Sequence, residues 1–264
     1  MWLLSWMTAL ALAGAGSSPA VDPASLVGEA RRVQQEDLAT WSHLEFRRQV
    51  LREKLDEHDA VVSTEVLDFL VTPLGDGRFD ERLRRLDGRA PSASQVREHR
   101  RAQRFEKRYR TAFVGEASEY EKGDFSLAHF MTRPTYRYGG LERVDGILCH
   151  RLDFPADTGG IDRGGVASRL SAGTAGTLWL ETEGLHAIRA ESRLVQPISA
   201  MMGLVRVQRV NIEMTTLRFG RHRLPREISV TTTTVIAGRA LRKRNRFVYG
   251  DHRPATGGPA AAGH

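Results

Sequence analysis

Long runs of alternating polar and apolar residues fill the second half of the sequence and constrain the fold most strongly. "GLVRVQRVNIEMTTLRFG", "REISVTTTTVIAG" and "ALRKRNRFVYGDH" follow one another, with Gly220 and Gly238 at the breaks. In the last run, Leu241, Phe247 and Tyr249 fall on one face and the arginines between them on the other. Runs of this length, separated by turns at this spacing, predict long antiparallel strands joined as a meander.

A hairpin that precedes these runs carries apolar residues on both of its faces. Residues 177–182 and 185–192 are predicted to form its strands, with Glu183-Gly184 as a two-residue turn. Such a turn places Trp179 opposite Ile188. The other face then holds Leu178, Leu180 and Ala187. A sheet with one face in water alternates more cleanly than this, so we expect the second face to be covered.

The first half of the chain predicts a helix followed by two or three strands. Asp22 as N-cap and Pro23 at the first helical position predict a helix over residues 23–41. Residues 43–55 and 60–74 have the pattern of long strands, and residues 82–88 of a third, short one.

The middle of the chain mixes helix, loop and strand. Ser92 and Gln95 form a potential capping box that opens a basic helix. Residues 111–142 lack a firm period and are predicted as a short helix and a loop. Residues 146–154 then predict a strand, and residues 155–173 a Gly-rich loop without a phosphate-binding pattern.

These elements together predict a mainly β fold with helices, of the α+β class. Long antiparallel strands curl as they twist. We therefore expect a curved antiparallel sheet that forms an unclosed β-barrel, with its concave face covered by helices or by a ligand. Residues 21–252 are expected to form a single domain, because no repeat or linker divides them, and residues 253–264 a disordered tail.

The first twenty residues predict export. Residues 1–20 contain no charged side chain, and their apolar stretch is too short to span a bilayer comfortably. Ser18 and Ala20 occupy positions −3 and −1 of a cut before Val21, as in a secretory signal peptide. A soluble, monomeric periplasmic protein is the expected product. An uncleaved anchor is the alternative, because no Lys or Arg precedes the apolar stretch.

The charge predicts anionic partners. The chain carries a formal charge of +7 and a pI near 10.0. Much of the excess lies in residues 97–110 and 239–246. Exported basic proteins meet anionic membrane surfaces more often than nucleic acid, so no nucleic-acid partner is expected. The candidates for contact with anionic head groups are Arg97, Arg100, Arg101 and Arg104. A solvated face that aids solubility is the alternative.

No motif in the sequence indicates an enzyme, a metal site or a cofactor. The G-x-S-x-G, H-E-x-x-H and P-loop patterns are all absent. Cys149, the only cysteine, is predicted to be a buried, inert thiol, with a reactive thiol as the alternative. Asp56, His58 and Asp59 could bind a cation, although charged hairpin tips are common.

Three phrases resemble the LolA-like superfamily of bacterial exported proteins, which includes the carrier LolA, the receptor LolB and the amino-terminal part of RseB. "GLERVDGILCHRLDF" contains its G-x-x-V-x-G pattern at Gly140, Val144 and Gly146. The family's "LW-[IL]-D/E" pattern matches residues 178–181, and its "LP" matches residues 224–225. The resemblance spans residues 41–252.

This resemblance implies a half-barrel that binds an acyl chain, a lipid or a lipoprotein without catalysis. The candidate cavity residues are Trp179, Phe46, Phe105, Phe125, Phe130 and Met214. A second hypothesis is an interaction or sensor module of the cell envelope that grips another protein through its sheet, because an unclosed barrel leaves a strand edge available for pairing. A cavity filled with side chains would favour that second hypothesis.

Overall fold

A computed structural model gives the fold of most of the chain. It describes residues 21–75, 78–101, 130–133, 135–157, 159, 166–200 and 203–255. The predicted signal peptide, 1–20, lies outside these residues, as does most of the predicted tail. No helix among the described residues is long and apolar enough to cross a membrane.

The helices and the strands of the described residues are each numbered in chain order. The helices are α1 (Pro23–Trp41), α2 (residues 93–101) and α3 (Val166–Ala172). The first strands are β1 (Leu44–Leu55), β2 (Val61–Pro73), β3 (Phe79–Leu86), β4 (Arg137–Val144) and β5 (Ile147–Phe154). The remaining strands are β6 (Thr174–Glu181), β7 (Ala187–Leu194), β8 (Ile198–Ala200), β9 (Val205–Phe219), β10 (His222–Ile236) and β11 (Arg239–Pro254).

All eleven strands join one antiparallel sheet that does not close. The strand order is β3-β2-β1-β11-β10-β9-β7-β6-β5-β4, and β8 pairs with β9. The strands β3 and β4 are the two ends of this order, and no pairing between described residues joins them. The predicted unclosed antiparallel β-barrel with a few helices is therefore confirmed.

Helix α1 begins and ends as its sequence predicts. The Asp22 carboxylate accepts hydrogen bonds from the backbone N–H groups of Ala24 and Ser25, which have no partner within the helix. The helix buries Val27, Ala30 and Trp41 against the sheet.

The predicted capping box also opens α2. The Gln95 backbone N–H donates to Ser92 Oγ at 3.2 Å, and the Ser92 N–H donates to Gln95 Oε1 at 2.8 Å. Two local patterns of the sequence thus fix the starts of both long helices.

One face of the sheet, here called the inner face, holds the main core. Trp41 of α1 stacks on Phe46 with ring centroids 5.3 Å apart, and its ring lies 5.7 Å from Phe79 and 5.9 Å from Tyr249. Helix α1 is thereby fixed against β1, β3 and β11 near one end of the half-barrel. The opposite face of the sheet is called the outer face.

Four local predictions are wrong in part. The turn between β6 and β7 is longer than two residues, and Trp179 lies opposite Arg189 instead of Ile188 because a bulge follows it. Helix α3 occupies the end of the predicted loop 155–173, and β4 lies where a helix and loop were predicted. Strand β4 was missed because the bulge at Gly139-Gly140 interrupts its alternation. Finally, β11 extends to Pro254, into the predicted tail.

Of the described glycines, Gly176 leaves the least room for a side chain, which gives a test of the packing between β6 and its neighbours. A Cβ at Gly176 would lie 1.9 Å from the Glu191 carbonyl oxygen and 2.6 Å from the Phe154 ring, whereas one at Gly28 would meet nothing within 4 Å. We expect Gly176→Ala to destabilise the protein by about 3 kcal/mol or more through overpacking. We expect Gly28→Ala, on the exposed side of α1, to stabilise it by about 0.5–1 kcal/mol. Urea unfolding of both variants measures this difference, and equal effects would contradict the register of β6 and β7.

Candidate binding surfaces

Three of the predicted cavity residues lie together in the main core. Phe46, Phe130 and Met214 are 2%, 0% and 2% exposed and belong to one apolar cluster on the inner face. Each is packed by protein side chains and leaves no open wall for a ligand. Phe105 and Phe125 lie outside the described residues.

Trp179 lies on the other face of the sheet. It packs with Val144, Cys149 and Ile188 in a small separate cluster. Successive residues of a strand point to different faces of the sheet, so Trp179 and its neighbour Leu178 lie on different faces. Leu178 belongs to the main core. Trp179 therefore does not share a cavity with Phe46, a result that the alternation of the sequence could have predicted.

Charged side chains cover this outer cluster. The Trp179 indole N–H donates to Glu142 Oε2 at 3.0 Å, and the Arg189 guanidinium lies 5.8 Å from the centre of the indole ring. The second apolar face of the hairpin is thus covered by the protein's own residues, not by helices or a ligand. A cation over an aromatic face is favourable because the ring carries negative charge on that face.

Cys149 is a buried thiol, as predicted. It is 0% exposed, and burial raises the pKa of its thiol to about 11. The thiolate needed for nucleophilic chemistry is therefore scarce at neutral pH. The neighbouring His150 points to the inner face, where its Nδ1 lies 3.2 Å from the Tyr138 hydroxyl.

The predicted cation site at the β1–β2 turn has other partners. Asp56 Oδ1 accepts the backbone N–H groups of His58 and Ala60, and Asp59 forms an ion pair with Arg209 at 2.8 Å. No group of three His, Cys, Asp or Glu side chains suited to a metal ion occurs in the described part of the chain.

Helix α2 presents its arginines to solvent. Its His99 packs on Phe69 with ring centroids 5.3 Å apart, and burial lowers the pKa of this imidazole. Arg97, Arg100 and Arg101 are exposed. Arg104 lies outside the described residues.

The inner face continues beyond the core as a strip of apolar side chains interspersed with polar ones, since Ile236 pairs with Arg239 and Thr232 with Lys243. Past Ile212 and Val230, the strands β9, β10 and β11 extend toward the β10–β11 turn, and the side chains there are only partly covered. Ile236 and Leu241 are each 43% exposed. We call this surface the open-end strip; its members are Val205, Val207, Ile236 and Leu241. Their pairing places Val205 opposite Ile236, and Thr234 opposite both Val207 and Leu241.

A mixed-charge groove of about 510 Å³ crosses the outer face over β5, β6, β7 and β9. Its arginines are Arg137, Arg151 and Arg193, and its carboxylates are Asp153, Glu191 and Glu213. The two sets balance, three against three. This groove therefore favours neither anionic nor cationic ligands.

A cluster of Asp37, His186 and His222 was missed by the sequence analysis. The Asp37 side chain, 2% exposed, lies 2.8 Å from Nδ1 of His186 and 3.0 Å from Nδ1 of His222. Because a carboxylate only accepts hydrogen bonds, both Nδ1 atoms carry the hydrogen. One buried charge on α1 is thus bound by the β6–β7 turn and by the start of β10.

The second nitrogen of His222 faces two donors. Its Nε2 lies 3.2 Å from Thr40 Oγ1 and 3.3 Å from Arg221 Nε. The order hydroxyl, imidazole, carboxylate matches that of hydrolase triads. Here, however, a guanidinium competes for the imidazole, and Thr40 does not line the groove just described. We interpret the cluster as a structural tie between α1 and the sheet.

No protein-family model and no curated protein matches the sequence. Solved structures give weak likenesses that span most of the chain. A DUF1329 family protein from Desulfovibrio piger has a TM-score of 0.39 at 13% identity, over 90% of this chain and 95% of its own. An outer membrane lipoprotein-sorting protein domain from Vibrio parahaemolyticus has a TM-score of 0.36 at 13% identity, over 89% of this chain and 95% of its own.

The Pseudomonas aeruginosa MucA/MucB complex contains a further match, with a TM-score of 0.24 at 11% identity over 88% of this chain and 99% of the other. Likenesses of this size carry no statement about what the protein binds.

The Asp37 cluster gives a stability test. In Asp37→Asn one of the two imidazole N–H groups loses its acceptor in a buried place, so we expect the free energy of unfolding to fall by about 2–3 kcal/mol. Glu36→Gln is the matched control, because Glu36 is 54% exposed and forms a surface ion pair with Arg32 one turn away; we expect a change within about 0.5 kcal/mol. Urea unfolding followed by circular dichroism measures both. An Asp37→Asn protein as stable as the control would show that the cluster does not hold α1.

Proposed function

We propose that the protein is a non-catalytic binding protein of the bacterial cell envelope, and that it holds the acyl chain of a lipid or lipoprotein on the inner face of its half-barrel. The observation that carries this proposal is the open-end strip. Apolar side chains on an inner face are normally buried, and two of these are 43% exposed. The export signal predicted from residues 1–20 supports the envelope as the compartment.

An acyl chain suits this surface better than a polar ligand. Val205, Val207 and Ile236 offer no hydrogen bond from their side chains. Burial of apolar surface releases about 25 cal/mol per Å², so a sixteen-carbon chain could gain roughly 10 kcal/mol before ordering costs. The strip adjoins the core at Ile212 and Val230, so a bound chain would extend an apolar surface that already exists.

Exposed arginines of α2 are proposed to meet anionic head groups. Arg97, Arg100 and Arg101 lie on a helix whose His99 packs on the sheet, so the helix is held against the sheet and these three residues are exposed. Each basic residue near an anionic membrane contributes about 1 kcal/mol to binding. Arg104 is included in this proposal on sequence grounds alone.

The tightly packed core of the half-barrel favours a second candidate function. Around Phe130, Phe154 and Leu152 the core is 0–2% exposed and holds no space for a chain. A protein that binds nothing at the open-end strip would instead bind another envelope protein through the edges of β3 and β4, which pair with no further strand among the described residues.

Acyl binding can be tested with a fluorescent fatty acid. We expect the mature protein to bind the probe, and Ile236→Glu with Leu241→Glu to weaken binding by about tenfold or more, because the charges must lose water against the chain. The matched control is Val235→Glu with Ala240→Glu, which are neighbouring, directly paired positions on the outer face; this variant should bind like the parent protein.

Native mass spectrometry of protein purified from the periplasm without detergent provides an independent check. A co-purifying lipid, released by organic solvent, is the expected result. A bare protein mass that persists after incubation with phospholipid and lipopeptide would contradict the acyl-chain proposal and support a protein partner.

Membrane contact predicts a separate effect on vesicle binding. Replacing Arg97, Arg100, Arg101 and Arg104 by Gln should weaken binding to phosphatidylglycerol vesicles by at least about tenfold at about 0.1 M salt. Vesicle sedimentation measures it. The control removes the same charge from four exposed positions elsewhere, Arg137, Arg193, Arg206 and Arg226. Equal losses in both variants would show that only the net charge matters.

A further inference from the structure

A second groove on the outer face is lined by four arginines. It encloses about 360 Å³ where β1, β2 and β3 meet the end of β11. The arginines are Arg47, Arg84, Arg85 and Arg253. The carboxylates in its lining are Glu45, Asp68 and Asp251. It lies on the opposite face of the sheet from the core.

Two of the arginines are held in place by buried carboxylates. Arg47 Nε donates to Asp68 Oδ1 at 2.7 Å, and its Nη2 donates to the other oxygen. Arg253 donates to Glu45 Oε1 through Nε at 2.8 Å and through Nη2. The Asp68 and Glu45 side chains are 8% and 10% exposed, whereas Arg47 and Arg253 are 47% and 66% exposed.

These two pairs remain charged. The hydrogen bond from Arg253 lowers the pKa of the Glu45 carboxyl, and the hydrogen bond to Asp68 raises the pKa of Arg47. In both arginines the remaining nitrogen, Nη1, makes no hydrogen bond to a described residue. Each guanidinium is therefore oriented in advance and keeps donors for a ligand.

A β-bulge brings the other two arginines to the same groove. The pairing of β2 with β3 moves from Asp68 opposite Arg85 to Phe69 opposite Leu83, which leaves Arg84 as the extra residue. Consecutive residues of a regular strand point to opposite faces, and a bulge re-aims one of them. Both Arg84 and Arg85 line the groove, are exposed, and form no hydrogen bond or ion pair with a described residue.

One carboxylate of the groove has no arginine bonded to it. Asp251 lies in an irregular part of β11, between Gly250 and Arg253, with a positive φ of 54°. After the two ion pairs cancel, Arg84 and Arg85 remain against this single negative charge in the lining of the groove. The groove therefore carries an excess of positive charge, unlike the balanced mixed-charge groove over β5 to β9.

We propose that this arginine groove binds a phosphate group, either of a free phosphate ester or of a lipid head group. Guanidinium groups donate paired hydrogen bonds that match phosphate oxygens. The pairs Arg47–Asp68 and Arg253–Glu45 form its fixed wall, and Arg84 and Arg85 supply the uncompensated charge. The site lies across the sheet from the open-end strip, so it is independent of the acyl-chain proposal.

Titration calorimetry of the mature protein tests the groove with glycerol 3-phosphate and inorganic phosphate as probes. A second arm measures sedimentation with phosphatidic acid vesicles. Arg84→Gln with Arg85→Gln should weaken binding by about tenfold or more, because hydrogen bonds between charged groups are lost. Asp251→Asn removes the opposing charge while keeping a residue that tolerates positive φ, so it should tighten binding by about threefold.

The matched control is Arg137→Gln with Arg193→Gln, which removes the same charge from exposed positions in the mixed-charge groove. If the parent protein binds the soluble probes and Arg84→Gln/Arg85→Gln weakens this binding, the site is assigned to a free phosphate ester. If only vesicle binding is weakened in that variant, the site is assigned to a lipid head group. Absence of binding in both arms, or an equal loss in the control, overturns the proposal. Fatty-acid binding should be unchanged in Arg84→Gln/Arg85→Gln. The phosphate proposal and the acyl-chain proposal can therefore be contradicted independently of each other.

Discussion

The position of α1 depends on the hydrogen bonds of its buried Asp37 carboxylate. An ionised carboxylate at 2% exposure is costly unless hydrogen bonds compensate for the lost water. Both available bonds come from turns of the sheet, His186 before β7 and His222 at the start of β10. The helix can therefore satisfy its buried charge in one place only, and this place also brings Trp41 onto Phe46 and Tyr249. Apolar packing alone would tolerate small rotations of the helix that this charge forbids.

Placing α1 at one end divides the inner face into two unequal parts. Near the helix, side chains such as Phe46 and Leu224 are almost completely buried. Toward the β10–β11 turn the strands continue, and no described helix covers Leu241. The proposed acyl site is this uncovered remainder. The outer face is organised differently: charged side chains cover its apolar cluster around Trp179, and its charged residues line two grooves with different net charge.

Elements with a repeated local pattern could be predicted from the sequence. The N-cap and Pro23 predicted α1, and alternation predicted β9, β10 and β11. Strand β4 could not be found in this way, because Gly139-Gly140 breaks its period. The Asp37 cluster is different in kind: its histidines lie 149 and 185 residues away along the chain, and no local signal connects them. Of the predicted cavity residues, Phe46, Phe130 and Met214 share one cluster, but as packed core.

The place of β11 in the sheet has a consequence for the order of folding. Its partner β1 is the first strand, so Glu53 meets Arg244 across 191 residues and Glu45 meets Arg253 across 208. While the chain is being synthesised, β1 can pair with β2, and β2 with β3, but the second edge of β1 stays unpaired until β11 has been made. Closing so long a loop is slow. The strands made before β11 must therefore stay unaggregated in an incomplete sheet until β11 is available, which makes this stage the point where a chaperone has most to gain.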